Sequence, residues 1–340
     1  MKKKKLKVAL IFGGTSPERE VSLRTGKTIA KYLNTKKYDV VPVEISSQGK
    51  WLVRSKTIAQ IGREIKTSKV STCELVPVEK DEKAGIDVAM LALHGPGGED
   101  GTIQGMLELL KIPYTCSGVL ASSLAMDKVR TKRLLKSVGV PVLPDIVVSR
   151  ADFKKFPKKF LGKIHGRIVV KPNRMGSSLG VSIVSGKAAI KSAIERAFRY
   201  DSEILIEPFA GGREIAVPVL GNRDARPLPS IEIVPWKKST FYDFKAKYEK
   251  GGSEHIIPAP LDAGQDREVK NLALLAHQAL GCRGLTRSDF ILDEHGRFIF
   301  LEINTIPGMT PTSLAPQSAQ VAGISFPKLL DELIKLALDV

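Results

Sequence analysis

At 340 residues, with 43% hydrophobic and 26% charged side chains, the chain has the make-up of a globular protein with room for two or three separate cores. Its formal charge of +17 is dispersed beyond the opening "KKKK", and aromatics are only 6%. No RNP-like or zinc-finger pattern occurs, so nucleic-acid binding is not expected as its main work, and the charge favours anionic small substrates such as nucleotides.

The three cysteines, Cys73, Cys116 and Cys282, form no C-x-x-C pair. They argue against a disulfide framework or a structural zinc and suit a reducing cytosol. No apolar run nears the roughly 20 residues that cross a bilayer, so no membrane association is expected. "MKKKK" leads into an apolar run too short for a signal-peptide core, and residues 6–12 (LKVALIF) read instead as a buried parallel strand. The turn "GGTSPERE" opens an amphipathic helix, VSLRTGKTIAKYL, with Ser16 as its expected N-cap and Pro17 as its first residue. A strand follows at 39–45, then a polar, weakly periodic stretch to about residue 84. Next come a strand at 86–93, the glycine-rich HGPGGEDG (94–101) and the helix TIQGMLELL. This alternation predicts a doubly wound α/β unit over residues 1–125.

A second unit, 126–214, opens with MDKVRTKRLLKSVG. It holds a strand at 167–172, the loop NRMGSSLG (173–180), a helix around 187–199 and a strand at 203–209. The third, 215–340, takes in most of REIAVPVLG, then LPSIEIVP and a long polar segment at 236–260. The helix REVKNLALLAHQALG, the run SDFILDEHGRFIFLEINTIPGMT and a closing helix complete it. A polar segment as long as 236–260 inside a compact domain reads as an active-site lid or a disordered stretch.

The run from Ser288 to Thr310 carries the chemistry. Two alternating apolar stretches around a short polar turn with Gly296 predict a hairpin. If Asp293 pairs with Phe298, Asp289 faces Glu302 and Arg287 faces Asn304, and all four converge on one patch. Asp, Glu and Asn offer only oxygen ligands, which suits Mg²⁺; a surface ladder of salt bridges is the plainer alternative. A nucleotide would accompany such a metal, yet no P-loop or G-x-G-x-x-G fingerprint is present. "GSSLG" (176–180), after a strand ending at Lys171, could close backbone N–H groups and the hydroxyls of Ser177 and Ser178 over phosphate oxygens.

Together these stretches resemble an ATP-grasp ligase, specifically the D-alanine–D-alanine ligase family. The resemblance runs through GGTSPEREVS, LHGPGGEDGTIQGMLELLKIPYTCSG, AMDK, VKPNRMGSSLGVS, LIEPF, FYDFKAKY and DFILDEHGRFIFLEINTIPGMTPTS. It implies three α/β domains with ATP gripped between the second and third. The implied reaction joins two D-alanines through an acylphosphate, in peptidoglycan precursor synthesis.

By the same resemblance Asp289, Glu302 and Asn304 bind two Mg²⁺ (or Mn²⁺), with Glu302 shared. Lys128, Lys171 and Ser178 meet ATP phosphates, Glu207 and Glu214 hold adenine and ribose, and Pro208 and Ala210 offer main-chain groups. Glu18, which could simply complement a helix dipole, is implied to fix the first D-alanine's ammonium with Ser177 and Tyr248. Arg287 and the Gly308 N–H are implied to stabilise the oxyanion. Lys247 and Ser313 match contacts to phosphate or to the second substrate's carboxylate. His94 reads either as a buried structural histidine or as a substrate-site residue. A homodimer in the cytoplasm is implied as well.

Met175 and Ile306 depart from common family wording, and residues 46–84 match it least. Tyr248 stands where D-alanine–D-lactate ligases tend to carry histidine, which favours the dipeptide over the ester, and Glu18 in TSPERE and Ser313 in MTPTS argue against another ATP-grasp carboxylate–amine ligase.

Overall fold

The computed structural model describes residues 5–53, 85–162, 164–235 and 253–340. β1 (Leu6–Gly13), α1 (Arg19–Tyr32), β2 (Tyr38–Ile45), β3 (Trp51–Val53), β4 (Val88–Leu91) and α2 (Thr102–Leu109) build a first sheet of order β3-β2-β1-β4. β1 pairs in parallel with both β2 and β4, and only β3 runs antiparallel. Its strands are apolar on successive residues because both faces are covered. Val8 and Leu10 join one core with Ile29 of α1, and Ala9 and Ile11 join another with Ile103 and Leu107 of α2. α1 starts at Arg19, with Glu18 at the N-cap position, so the expected Ser16 cap is wrong. The Ser16 hydroxyl instead accepts the Glu18 N–H at 3.2 Å and donates to the His94 carbonyl at 2.6 Å, tying the two loops at the strand ends.

α3 (Val119–Met126) and α4 (Lys128–Ser137) lead to β5 (Ile146–Ser149), α5 (Arg150–Lys155), α6 (Pro157–Leu161), β6 (Arg167–Pro172), β7 (Ser182–Ser185), α7 (Lys187–Ala197) and β8 (Glu203–Pro208). The four strands form an antiparallel sheet of order β5-β8-β6-β7, packed on Ile190, Ala193 and Ile194 of α7. Asp127 starts α4 by accepting the Arg130 N–H at 3.0 Å, which sets Lys128 at its first turn.

The third sheet takes β9 (Arg213–Leu220), β10 (Arg226–Pro227), β11 (Ile231–Pro235), β12 (Ser253–Ile256), β13 (Leu285–Leu292) and β14 (Phe298–Asn304), in the order β12-β11-β9-β13-β14 with β10 beside β9. α8 (Ala263–Ala279) covers it through Val269, Ala273 and Ala276, joined by Ala121 and Ala125 of α3 and Leu135 of α4. α8 begins four residues before the expected REVKN, because Asp262 and Gln265 form a reciprocal capping box. The expected single closing helix is two, α9 (Leu314–Val321) and α10 (Phe326–Leu338). Leu329, Leu330, Leu333 and Ile334 of α10 pack in the core with Val8 and Leu10, so the chain's end seals its first sheet. Of the expected lid, residues 236–252 lie outside the described residues, and 253–256 are the edge strand β12 rather than loop.

The β13–β14 hairpin departs from simple alternation at one point. From the turn its register runs Leu292↔Phe298, Ile291↔Ile299 and Phe290↔Phe300, then slips so that Asp289 faces Glu302 and Arg287 faces Asn304. The expected Asp293–Phe298 pair is wrong by one residue. The two pairs at the far end hold because Leu301 is an extra residue on β14. Without that bulge, Glu302 and Asn304 would share the face of Phe298 and Phe300, which lies in the apolar core. The bulge turns the acid and the amide to the other side.

Phe290 anchors this device, fully buried and edge-on to Phe298 and Phe300 at centroid distances of 6.4 and 5.7 Å. Phe290→Ala is expected to cost about 3–5 kcal/mol of stability in denaturant melts, because the bulged pair cannot collapse into the void. A loss below about 1 kcal/mol would mean the hairpin does not depend on this packing.

Candidate active site

Two cavities meet in the cleft between the sheets. The first, about 410 Å³, is bordered by Glu18, His94, Glu99, Ser177, Arg287 and Asn304 among others. The second, about 300 Å³, is bordered by Lys171, Ser178, Glu207, Ala210, Glu214 and Asp289 among others. Lys128, Met175 and Glu302 border both.

In the first cavity Glu18 is buried at the start of α1, where it accepts the Ser177 hydroxyl from the 176–180 loop. Two glycines from separate loops press on it. A Cβ on Gly95 or Gly176 would stand 2.8 or 2.7 Å from Glu18 Oε1. Ser177 and Ser178 both have positive φ, +48° and +58°, a strained conformation for non-glycine residues that bends the loop toward the acid.

Behind Glu18 lies Glu99, which accepts the Gly95 N–H at 2.7 Å. Burial and the neighbouring Glu18 charge push its carboxyl up to about 8. His94 Nε2 lies 3.1 Å from the Thr25 hydroxyl, and a ring N–H donates to the Ile306 carbonyl. Burial first, and the Arg287 charge as well, outweigh that bond and lower His94 to about 4, so it is neutral near pH 7. Ile306 itself sits in the core beneath the first sheet, which ties the end of β14 to the His94 loop.

The raised Glu99 value has a consequence for stability. A carboxyl whose folded pKa exceeds its unfolded one contributes stability that is complete below the ordinary carboxylate range and is lost as pH rises through about 8. The melting temperature is expected to fall between about pH 4.5 and 8 and to level off above that, and Glu99→Gln should flatten that fall. An unchanged slope in the variant would place that loss elsewhere.

On the far wall Arg287 donates through Nε and Nη2 to both oxygens of Asp289, at 2.7 and 2.8 Å. Lys128 Nζ donates to the Met175 carbonyl at 2.7 Å and stands 3.5 Å from Glu302. Met175 therefore contributes its carbonyl oxygen, whatever its side chain. Asn304 Oδ1 accepts the Ile306 N–H at 2.9 Å. Among the described residues no cluster of three or more His, Cys, Asp or Glu side chains could hold a metal. The set here is two carboxylates and an amide, all hard oxygen donors, and each carboxylate has drawn one of the protein's own cations. That chemistry fits a divalent cation completed by phosphate oxygens and water. Ser313 lies across the first cavity, its Oγ accepting the Thr310 N–H at 3.1 Å and standing 3.0 Å from where a Cβ on Gly308 would be.

The second cavity is organised by Glu207. One of its oxygens meets Lys171 Nζ at 2.6 Å, and the other is held by Lys132, which also reaches Asp145 at 2.9 Å. Burial raises the Glu207 carboxyl, but the charges of Lys171 and Lys132 win, and its pKa lies below the ordinary value. Glu214, on β9, borders the same space, with Arg213 beside it gripping Glu232 at 2.8 and 2.7 Å. Pro208 ends β8 and its exposed ring does not border the cavity.

The expected residues Glu18, His94, Ser177, Arg287, Asn304, Gly308 and Ser313 are thus gathered around one cavity, and Lys171, Ser178, Glu207, Ala210, Glu214 and Asp289 around the other. Lys247 and Tyr248 lie outside the described residues. Sequence reasoning passed over Glu99, Thr25 and Lys132. Lys132 left a trace, since it follows Lys128 by four residues on one helix and so shares its face.

Comparison with known proteins places the chain in context. Residues 7–117 match the family model described as the D-ala D-ala ligase N-terminus, and residues 134–335 match the corresponding C-terminus. A D-alanine–D-alanine ligase of Pelotomaculum thermopropionicum is 41% identical over 339 residues, covering 98% of this chain and 97% of its own. The ligase of Bacillus velezensis is 39% identical, with 96% of each chain covered. Among solved structures, the VanG D-Ala:D-Ser ligase from Enterococcus faecalis superposes with a TM-score of 0.85 at 32% identity, covering 98% of this chain and all of that one. The D-alanine–D-alanine ligase from Coxiella burnetii gives 0.83 at 28% identity, over 98% and 96% of the two chains. The fold is the mixed α/β arrangement of these ATP-grasp ligases, with three sheets among the described residues.

Proposed function

Since the chain belongs to the D-alanine–D-alanine ligase family, we propose the following assignment of work along its cleft. The enzyme joins two D-alanines to D-alanyl-D-alanine at the expense of ATP, through D-alanyl phosphate, for peptidoglycan precursor synthesis. The observation that carries the assignment is the shared wall. A triphosphate lying in the second cavity would bring its terminal phosphorus past Lys128 and Glu302 to a carboxylate in the first.

In the second cavity Glu207 and main-chain groups of Pro208 and Ala210 take the adenine edge, and Glu214 takes the ribose hydroxyls. Lys128, Lys171, Ser178 and the N–H groups of the 176–180 loop hold the phosphates, where positive charge and aligned donors lower the barrier to transfer. Two Mg²⁺ or Mn²⁺ ions on Asp289, Glu302 and Asn304, with Glu302 shared, would supply further neutralisation of the phosphate oxygens. In the first cavity Glu18, with Ser177, holds the ammonium of the first D-alanine, and Tyr248 is assigned to the same set by its sequence motif. The carboxylate of that D-alanine receives the phosphoryl group. Arg287 and the Gly308 N–H then face the oxyanion formed when the second amine attacks, and as fixed donors they need no reorganisation at that moment.

Lys247 and Ser313 take the phosphate or the second substrate's carboxylate. His94, neutral, orients Ile306 and the strand end without adding charge beside the ammonium site.

We divide the chain into three units, 1–125, 126–214 and 215–340, a reading supported by the three separate sheets among the described residues, with β9 of the third sheet already beginning at Arg213. A homodimer is supported by Leu109, Leu110 and Leu120, apolar yet 87, 50 and 71% exposed. A cytoplasmic site is supported by ATP use and the free thiols of Cys116 and Cys282. Among the described residues no helix is long and apolar enough to cross a membrane, and neither a membrane nor a nucleic-acid partner is proposed.

The test is phosphate release with ATP and D-alanine, L-alanine, D-serine or D-lactate, with the product weighed by mass spectrometry. D-Alanine alone should support release and yield the dipeptide. Release that needs D-lactate or D-serine would reassign the second substrate.

A further inference from the structure

Lys132 has no role in the assignment above, yet among the described lysines and arginines it is the most deeply buried, with 3% of its side chain exposed. A buried ammonium is costly unless it is paired, and this one is paired twice, to Asp145 at 2.9 Å and to one oxygen of Glu207. The other Glu207 oxygen holds Lys171 at 2.6 Å. Two lysines and two carboxylates thus form a neutral, mostly enclosed array.

The lysines differ in access. Lys171 borders the second cavity; Lys132 does not. Only Lys171 can turn its ammonium toward a phosphate without leaving a buried site. When it does, one oxygen of Glu207 is released toward the cavity, ready to accept from an N–H donor such as an exocyclic amine. Glu207 stays ionised and aimed at that moment only if a cation remains on its other oxygen.

We propose that Lys132 is a positioning residue, the fixed counter-ion of Glu207 that frees Lys171 to exchange between Glu207 and the nucleotide. The inference rests on reading the second cavity as the ATP site.

The full-length enzyme is assayed as Lys132→Met, as Lys132→Met/Asp145→Asn, as Glu207→Gln and as Lys132→Met/Glu207→Gln, each with ATP and with ITP, whose base carries a carbonyl in place of the amine. The Lys132/Asp145 pair removes one cation and one anion together, so the array stays neutral and the chain keeps a route to folding. Both Lys132 variants are expected to raise the KM for ATP about tenfold and to reduce the preference for ATP over ITP about tenfold, with the KM for D-alanine within about twofold of the parent. In the Glu207→Gln background, Lys132→Met should add less than about twofold.

A purely structural lysine would lower melting temperature and kcat and leave the ATP preference and ATP KM where they were. That result in the folded paired variant overturns the proposal, as does a full Lys132 effect when Glu207 is already Gln. If Glu207→Gln itself leaves the ATP preference unmoved, the reading of the cavity fails, and the inference with it. If Glu207→Gln moves it and the Lys132 variants do not, the inference alone fails.

Discussion

Glu302→Ala is expected to cut D-alanine-dependent phosphate release about 10³-fold, a loss of roughly 4 kcal/mol in transition-state stabilisation. Glu302 is the one acid that borders both cavities, and 31% of its side chain is exposed toward them. Its removal would take away the ligand proposed to be shared between two ions, and it takes away the partner of the Lys128 ammonium. The fold should hardly notice. Lys128 keeps the Met175 carbonyl, and the hairpin is held by Phe290, Phe298 and Phe300 on the opposite face. A melting temperature within a few degrees of the parent, with activity gone, is the expected pairing. Retained turnover would remove Glu302 from the metal assignment. Lost turnover with lost folding would mean that its role is structural.

Glu18→Gln should separate function from stability in the opposite sense. Glutamine keeps the shape and can still accept the Ser177 hydroxyl, but it cannot balance an ammonium. A fall of about 100-fold in kcat/KM for D-alanine is expected, since a buried ammonium loses its counter-charge. Glu18 is also the charge that, with burial, pushes Glu99 upward. Neutralising it lets Glu99 titrate nearer the ordinary range and relieves repulsion in a buried pair. The variant should melt no lower than the parent, and the fall in stability between about pH 4.5 and 8 should shrink. An acid that merely complemented the dipole of α1 would behave otherwise, because its loss would lower stability by less than about 1 kcal/mol and leave D-alanine kinetics intact. A site residue that destabilises the empty protein is the pattern expected where function sets the choice.

How far these residues could be read without coordinates depended on the physical signal each carried. Strand β6 matches its expected span, 167–172, because a short apolar run between turn residues has few alternatives. The first helix was harder. Ser16 and Pro17 are strong start signals, but the Ser16 hydroxyl is spent on the His94 carbonyl, a partner 78 residues away. No local pattern reports that competition.

The hairpin teaches the subtler lesson. Period-two alternation brings Asp289 opposite Glu302 only when the turn pairing is set one residue off, and the bulge at Leu301 cancels the error. In FIFLEIN a strict alternation would bury Glu302 and Asn304 beside two phenylalanines. The conflict between polarity and face was itself the available sign of a bulge. Lys132 and Glu99 stayed hidden for a related reason. Their partners, Glu207 75 residues on and Glu18 in another loop, come together only in the tertiary fold.

The central claim is that Asp289, Glu302 and Asn304 converge on one side of a bulged hairpin to hold divalent cations where the two cavities join. Its most direct test is a Mn²⁺ titration of the full-length protein with a non-hydrolysable ATP analogue, read by electron paramagnetic resonance. The parent should bind two ions per chain at close spacing, visible as spin coupling. Glu302→Ala should lose the coupling and at least one ion. Two coupled ions retained in the Glu302→Ala protein would contradict the claim.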